Sequence, residues 1–478
     1  MIDRLARTSM ATGARETAAK VVRLLVSVAG ICALAYILST LVLRTDVYFV
    51  VLAAVVVAAS IILSRRFELG IFLFLLIAPF NTGTSPAVLG EEASYNAGIM
   101  PSQASLAFLC FYWLVSGMLG SGFRIERTRL NGPLYVFFGL AIASMVMSFF
   151  IWDPEVQRYK QQILYPVSEI GLWILCAAAF FMTASKMRNQ SWLKALFWPV
   201  VIVALYAAVF QITDLEMIWS ISRSTFTVAF AATVVMARLF FGRDSSSVKV
   251  GLALLLGVFL TAILWNTAWV SGLISAILGI AFVLLLYSRK VFAVVAVACL
   301  ILLLAQPGAL HSIYHESRSQ GDMDRLNMWG DAARMASSTN PLFGIGPASY
   351  LAYSRKFGSV WYGHTTYTTA HSDYAQIIAE MGLLGILSFV WLVIVGAKVG
   401  LEAIRKTPAD LKWLSVAGTS VFTAIAVTSL VGDYLFPSRV NGGIWSFGTS
   451  VIPWVLLGAA VAASRVDDNS LLIEEHNQ

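Results

Sequence analysis

The chain has 478 residues, 58% hydrophobic and only 12% charged, with a mean hydropathy of +0.77. Soluble globular chains carry about 25% charged residues; half that value, with apolar runs recurring to the end, excludes a sizeable soluble domain. The net charge of +7 is a matter of membrane topology and gives no indication of nucleic acid as a partner.

In chain order, Arg4, Arg7, Arg15, Lys20 and Arg23 precede the first apolar run, and no small-residue cleavage site follows it. This predicts a cytoplasmic tail and a retained first helix. Candidate spans are 24–43, 47–63, 69–80, 102–119, 133–151, 163–183, 192–213, 225–241, 249–266, 268–287, 291–309, 374–397, 413–432 and 444–463. The ninth and tenth are expected to form a tight hairpin around Asn266 to Trp269. With the N-terminus inside, inner segments carry 23 of the 33 Lys and Arg residues and outer segments 10. That bias places both termini in the cytoplasm. The fold class is therefore all-α, a polytopic membrane bundle of about 14 transmembrane helices with one large, partly helical external loop. Its expected parts are an N-terminal bundle (1–309), the loop (310–373) and C-terminal helices with a cytoplasmic tail (374–478). Cys32, Cys110, Cys176 and Cys299 all lie in apolar runs and read as small buried hydrophobes, with neither disulfide nor zinc.

The stretch 310–373 is too long for a simple connection and has internal structure signals. Asp322 is placed to start a helix through Arg325, Trp329, Ala332, Ala333 and Ala336, which share one face. Asn340-Pro341 stops it, and Gly344 to Pro347 turns the chain. The helix is expected to lie on the membrane surface, with Arg325 beside Trp329 on the face meeting the protein. Four of the five histidines fall in this loop: His311, His315, His364 and His371. His311-x3-His315-Glu316 has helical metal-ligand spacing, but solvated loop side chains are the plainer reading, and no metal is expected.

His371 directly precedes Ser372-Asp373, good caps for the next membrane helix. There the positive end of the helix dipole and nearby arginines disfavour the imidazolium. A neutral imidazole is suited to act as a general base; the alternative is a helix-flanking polar residue. Arg158, Arg223 and Arg439 sit singly in smaller outer loops, against the charge bias. They either converge on an anion such as phosphate or are ordinary snorkelling or ion-paired arginines. The acidic residues Glu169, Glu380 and Asp433 lie near predicted helix ends. Trp152, Trp219, Trp361, Tyr362 and Tyr367 suit an interfacial aromatic belt or contacts with sugar faces.

Residues 325–385 resemble the O-antigen ligase and polymerase superfamily of bacterial inner membranes. The resemblance rests on Arg325-x3-Trp329, then Asn340-Pro341-Leu342-Phe343-Gly344-Ile345-Gly346, Ala370-His371-Ser372-Asp373-Tyr374, and Ala379-Glu380-Met381-Gly382-Leu383-Leu384-Gly385. It implies a metal-independent, inverting glycosyltransferase without cofactor. Such enzymes move a glycan from undecaprenyl diphosphate to a sugar hydroxyl, on a growing polymer or on the lipid A core, at the periplasmic face. The implied roles are His371 as catalytic base and Arg325 and Arg223 on the diphosphate; beyond the resemblance, Arg439 and Arg158 are expected to help. Asp373, Glu380, Asp433 and Trp329 would support them.

Two departures stand out. Many relatives begin the tenth span with Ser-Arg, where this chain has Thr267-Ala268-Trp269-Val270-Ser271-Gly272; many also have Pro-Asn after the arginine of the eighth span, where Thr227-Val228-Ala229-Phe230 stands. Arg158 or Arg439 is expected to supply the missing charge. The rival class is a polysaccharide or lipid-linked oligosaccharide transporter, which would place ionisable residues near the bilayer midplane.

Overall fold

The computed structural model describes residues 66–80, 101–119, 125–157, 163–213, 221, 224–265, 270–304, 322–357, 369–438 and 444–466. The first two predicted spans and the expected turn at 266–269 lie outside these residues. Every other predicted span falls on helix. In order these are α1 (Phe67–Ile77), α2 (Pro101–Leu119), α3 (Asn131–Phe150), α4 (Leu164–Lys186), α5 (Gln190–Ala195) running into α6 (Phe197–Thr213), α7 (Ser224–Phe241), α8 (Ser246–Trp265), α9 (Val270–Tyr287) and α10 (Arg289–Leu304). Two helices follow in the long loop, α11 (Asp322–Thr339) and α12 (Tyr350–Phe357). The chain closes with α13 (Asp373–Lys406), α14 (Lys412–Thr428) and α15 (Ile444–Ala463).

Among the described residues, seven stretches are long and apolar enough to cross a membrane, including 190–213 across the α5–α6 junction and all of α13. Among the described residues the only β feature is an isolated bridge between Phe80 and Ile221. The chemistry demands this. With no water in the hydrocarbon to satisfy peptide groups, a helix that bonds internally is the economical spanning form. The protein is an all-α polytopic membrane bundle.

The core runs through the whole chain, from Ile71 to Ala463. Helix α15 lies between α4 and α14, while α7, α9 and α14 pack on one another and α13 runs along α3. Small residues set the closest approach, as expected where apolar burial gives helices little reason to associate. A Cβ on Gly272 of α9 would stand 2.6 Å from Thr225 Cγ2 of α7, and Gly279 meets Thr233 one register down. Helices α8 and α10 are peripheral, presenting Leu254, Val294, Val297 and Leu300 outward.

Charged side chains gather at the two ends of the bundle. At one end Arg129 pairs with Glu402 (2.5 Å), Arg188 (3.2 Å) and Arg465 both pair with Glu126, and Arg243 pairs with Asp410 (3.5 Å). At the other end, the loop after α3 meets α12. Lys356 bridges Asp153 and Glu155, the Asp153 N–H donates to Tyr353 Oη (3.0 Å), and the Trp152 and Tyr353 rings meet edge-on. Segments that the charge bias assigns to a common side thus share an end of the bundle.

The Lys356 ammonium holds the Asp153 carboxyl below its ordinary range, and the two carboxylates raise Lys356. A carboxyl lowered on folding stabilises above its unfolded value and loses that effect as pH falls through the folded value. A raised lysine stabilises below its unfolded value and loses the effect as pH rises through the folded one. Hydrogen-exchange protection of 350–357 should therefore be flat through neutral pH and fall below about pH 4. In Lys356→Ala this acid step should shrink, with the remainder left to the Glu155 N–H that also bonds Asp153; an unchanged step would assign it to other groups.

Candidate active site

The site is built on a broken helix. Within α13, Gly382 has φ 63 and ψ −158, which interrupts the helical hydrogen bonds. The freed groups are taken up by the segment after α11. Ile345 N–H donates to Ala379 O (2.9 Å) and Gly346 N–H to Glu380 O (2.9 Å). In return, Leu383 N–H donates to Pro341 O (2.9 Å) and Leu384 N–H to Leu342 O (3.2 Å). Ser144 Oγ of α3 adds a bond to Glu380 O at 2.6 Å. Asn340 organises the turn, its Oδ1 accepting from Leu342 and Phe343 N–H. The Asn-Pro-Leu-Phe-Gly-Ile-Gly and Ala-Glu-Met-Gly-Leu-Leu-Gly stretches are thus two halves of one backbone interlock. Irregular backbone at a membrane helix is tolerated where protein satisfies it.

Above the break, the Glu380 carboxylate is fully buried. Its Oε1 accepts from Gln376 Nε2 (2.5 Å) and from Tyr350 N–H (3.2 Å), and the Ala348 and Ser349 N–H groups also point to it. It therefore occupies the positive N-terminus of α12. Gln376 passes the connection on, its Oε1 accepting from Ala370 N–H at 2.9 Å. From the other side, Trp329 Nε1 of α11 donates to Ala370 O at 3.2 Å. Ala370 is pinned through both of its polar groups.

His371 follows, half-buried, with φ 47. A left-handed backbone costs a non-glycine residue about 1–2 kcal/mol and persists where its surroundings over-determine it. Here Thr369 Oγ1 accepts its N–H (3.2 Å), and Ser372 is the N-cap of α13, its Oγ accepting from Ala375 N–H. The histidine therefore stands at the mouth of a helix N-terminus, as the sequence suggests.

The third component is the segment 429–438, between α14 and α15. It is irregular yet buried, with Asp433, Tyr434, Leu435, Phe436 and Ser438 nearly inaccessible. Asp373 organises it. Its N–H donates to Ser429 O and Gly432 O, and its Oδ2 accepts from the N–H groups of Tyr434, Leu435 and Phe436, the shortest at 2.8 Å. Phe436 stacks on Phe137 at 5.2 Å, and Trp454 and Trp173 donate to Leu435 O and Pro437 O. Tyr434 packs on Phe226 at the start of α7 (4.5 Å) and donates to Ser271 Oγ at the start of α9 (2.7 Å). Ser271 belongs to the stretch where relatives carry an arginine. Arg325 of α11, one helical turn before Trp329, reaches the same segment, with Nη1 donating to Val431 O at 3.4 Å.

Arg325 and the N-terminus of α13 thus both attach to 429–432, the first at Val431 O and the second through Asp373 N–H at Ser429 O and Gly432 O, while Trp329 of α11 holds Ala370, the residue before His371. Trp329, Asp373 and Glu380 act through backbone, and Asp433 is buried in the segment between them. Arg158, Arg223 and Arg439 lie outside the described residues, as do His311, His315, His364, Trp219, Trp361, Tyr362 and Tyr367. Gln376 and Tyr434 were not expected. A lone amide or phenol in an apolar stretch forms no pattern, although a Gln-x3-Glu spacing on one helix face was available for Gln376. Ala332 and Ala336 of α11 are buried and Arg325 and Trp329 meet the protein as expected, but Ala333 does not share that face. Met328, Asp331, Ala332, Met335 and Ala336 are its buried face and Ala333 is exposed, because the two methionines carry more apolar area than the alanines and turn inward. That face packs on α13.

Chemically, the arrangement offers a guanidinium, an imidazole and a helix N-terminus at one end of the bundle. Residues 255–390, which hold Arg325, both halves of the interlock and His371, match the family model described as O-antigen ligase. No curated protein matches the chain.

Proposed function

We propose, from the match of residues 255–390 to the O-antigen ligase family model, that this chain transfers a glycan from undecaprenyl diphosphate to a sugar hydroxyl. The reaction is set at the periplasmic face of the bacterial inner membrane, with both termini in the cytoplasm. The reading is supported by two attachments to the 429–432 segment, Arg325 through Val431 O and Asp373, two residues after His371, through its N–H to Ser429 O and Gly432 O.

A glycosyl diphosphate is already activated, so the protein needs cations for the leaving group, a base for the acceptor, and alignment of the two. The acceptor oxygen attacks the anomeric carbon as its bond to the diphosphate oxygen breaks. The electron pair leaves with the diphosphate, held by Arg325 and, in this reading, by Arg223, with Arg439 and Arg158 assisting. The hydroxyl proton passes to His371. Attack opposite the leaving group inverts the anomeric centre, and no metal takes part. Asp373, Glu380, Asp433 and Trp329 are positioning residues. The polyprenyl tail stays among the helices while the sugars remain in water, which an interfacial site permits.

The test is transfer by the purified chain alone, supplied with lipid diphosphate-linked glycan and acceptor; a transporter would give no new glycosidic bond. Arg325→Lys keeps the charge but loses the planar fork. Donor affinity should fall about 10-fold or more, the worth of one hydrogen bond to a charged group. Equal affinity would remove Arg325 from the diphosphate. Removal of the gene then separates acceptors: polymer missing from lipid A indicates ligation, and lipid A with a single repeat unit indicates polymerisation.

A further inference from the structure

A second concentration of cations lies at the end of the bundle opposite His371. Helix α13 spans the distance, since His371 stands two residues before its first residue and Lys406 is its last. Its two segments, broken at Gly382, together amount to about 50 Å of helix at 1.5 Å per residue. There a cavity of about 220 Å³ is lined by Arg127, Arg129, Lys406 and Arg465, with Glu402 as its one carboxylate. Val399 and Val461 form an apolar wall.

The charges do not cancel. Arg129 is taken by Glu402, and Arg465 by Glu126, which also holds Arg188. Arg465 is fixed further by donating to Arg127 O at 3.2 Å, and burial lowers its pKa. Among the described residues, no carboxylate lies within ion-pair distance of Arg127 or Lys406. Two cations with no ion-pair partner among the described residues and a partly desolvated guanidinium therefore surround a space large enough for a phosphate group. That space opens at the ends of α13 and α15, where lipid headgroups meet a membrane bundle.

We propose that this cavity binds the phosphate of an anionic lipid headgroup. Arg127 and Lys406 bind the phosphate oxygens, Arg465, held by Glu126 and Arg127 O, adds positive charge beside them, and Val399 and Val461 border the lipid. Guanidinium groups match phosphate in two-pronged fashion, and basic pockets between membrane helices suit such headgroups. The site is separate from glycan transfer.

The test is native mass spectrometry of the full chain released from nanodiscs containing phosphatidylcholine and phosphatidylglycerol. The parent should retain phosphatidylglycerol selectively. Arg127→Ala/Lys406→Ala, which breaks no ion pair, should bind it about 30-fold more weakly, at about fivefold per cation. Arg243→Ala removes a cation at the same end outside the cavity and should bind like the parent. Inorganic phosphate is then added as competitor. Displacement of the lipid means that the phosphate group alone is recognised, whereas retention means that the lipid anchor contributes; both support the site. Equal retention by the double variant and the parent, or an equal loss in Arg243→Ala, would overturn the proposal. Bound lipid is the readout, so that failure would leave the glycan-transfer reading intact.

Discussion

His371→Ala is expected to lower glycan transfer by about 10²–10⁴-fold, the usual contribution of a positioned base, while donor binding stays near the parental level. The fold should survive because the polar bonds around this residue belong to backbone and neighbours. Ala370 is held by Gln376 and Trp329, and Ser372 caps α13. The left-handed backbone at φ 47 complicates the alanine variant, so His371→Asn is the informative companion. Asparagine enters that region readily but is no base at working pH. Equal losses in both variants, measured with saturating donor, would assign the effect to proton transfer. Full activity of His371→Asn would reduce the histidine to a backbone role.

Gly382→Ala is expected to destabilise the protein by about 3 kcal/mol or more. Its φ of 63 and ψ of −158 lie in a region almost reserved for glycine, worth about 1–3 kcal/mol on its own. A Cβ there would also stand 2.6 Å from the carbonyl carbon and oxygen of Leu342. Those are main-chain atoms held in the interlock, so relief means separating 340–346 from 379–384. That exposes buried peptide groups, each costing about 1–3 kcal/mol if left unpaired. Thermal unfolding in detergent should show a clear fall in midpoint, and transfer should fall as well, since Glu380 and Gln376 sit just before the break. A variant as stable as the parent would mean that the two segments are not held by these bonds.

The membrane helices were legible because the bilayer writes them into composition; each predicted span among the described residues lies on helix. The functional surface was less legible because backbone contacts between distant segments assemble it. Leu430 and Val431 extend an apolar run, so the sequence reads helix to 432. The helix instead ends at Thr428, and the Ser429 and Gly432 carbonyls turn to the Asp373 N–H. Likewise, the two glycine-rich motifs are visible as text, but their pairing across Gly382 is a tertiary fact. The caps at Ser372 and the stop at Asn340 were readable because capping and turn chemistry are local. Ala333 was placed on the inner face of α11 from spacing alone, without the weight that Met328 and Met335 bring.

In the proposed mechanism Arg325 and His371 serve one diphosphate-linked donor. The most direct measurement is an experimental structure of the full chain with a non-transferable undecaprenyl diphosphate-glycan bound. The account predicts the diphosphate within hydrogen-bond reach of the Arg325 guanidinium, with the anomeric carbon facing His371 beside the 429–432 segment. A diphosphate seated elsewhere, for instance among Arg127, Lys406 and Arg465 at the far end of α13, would contradict it.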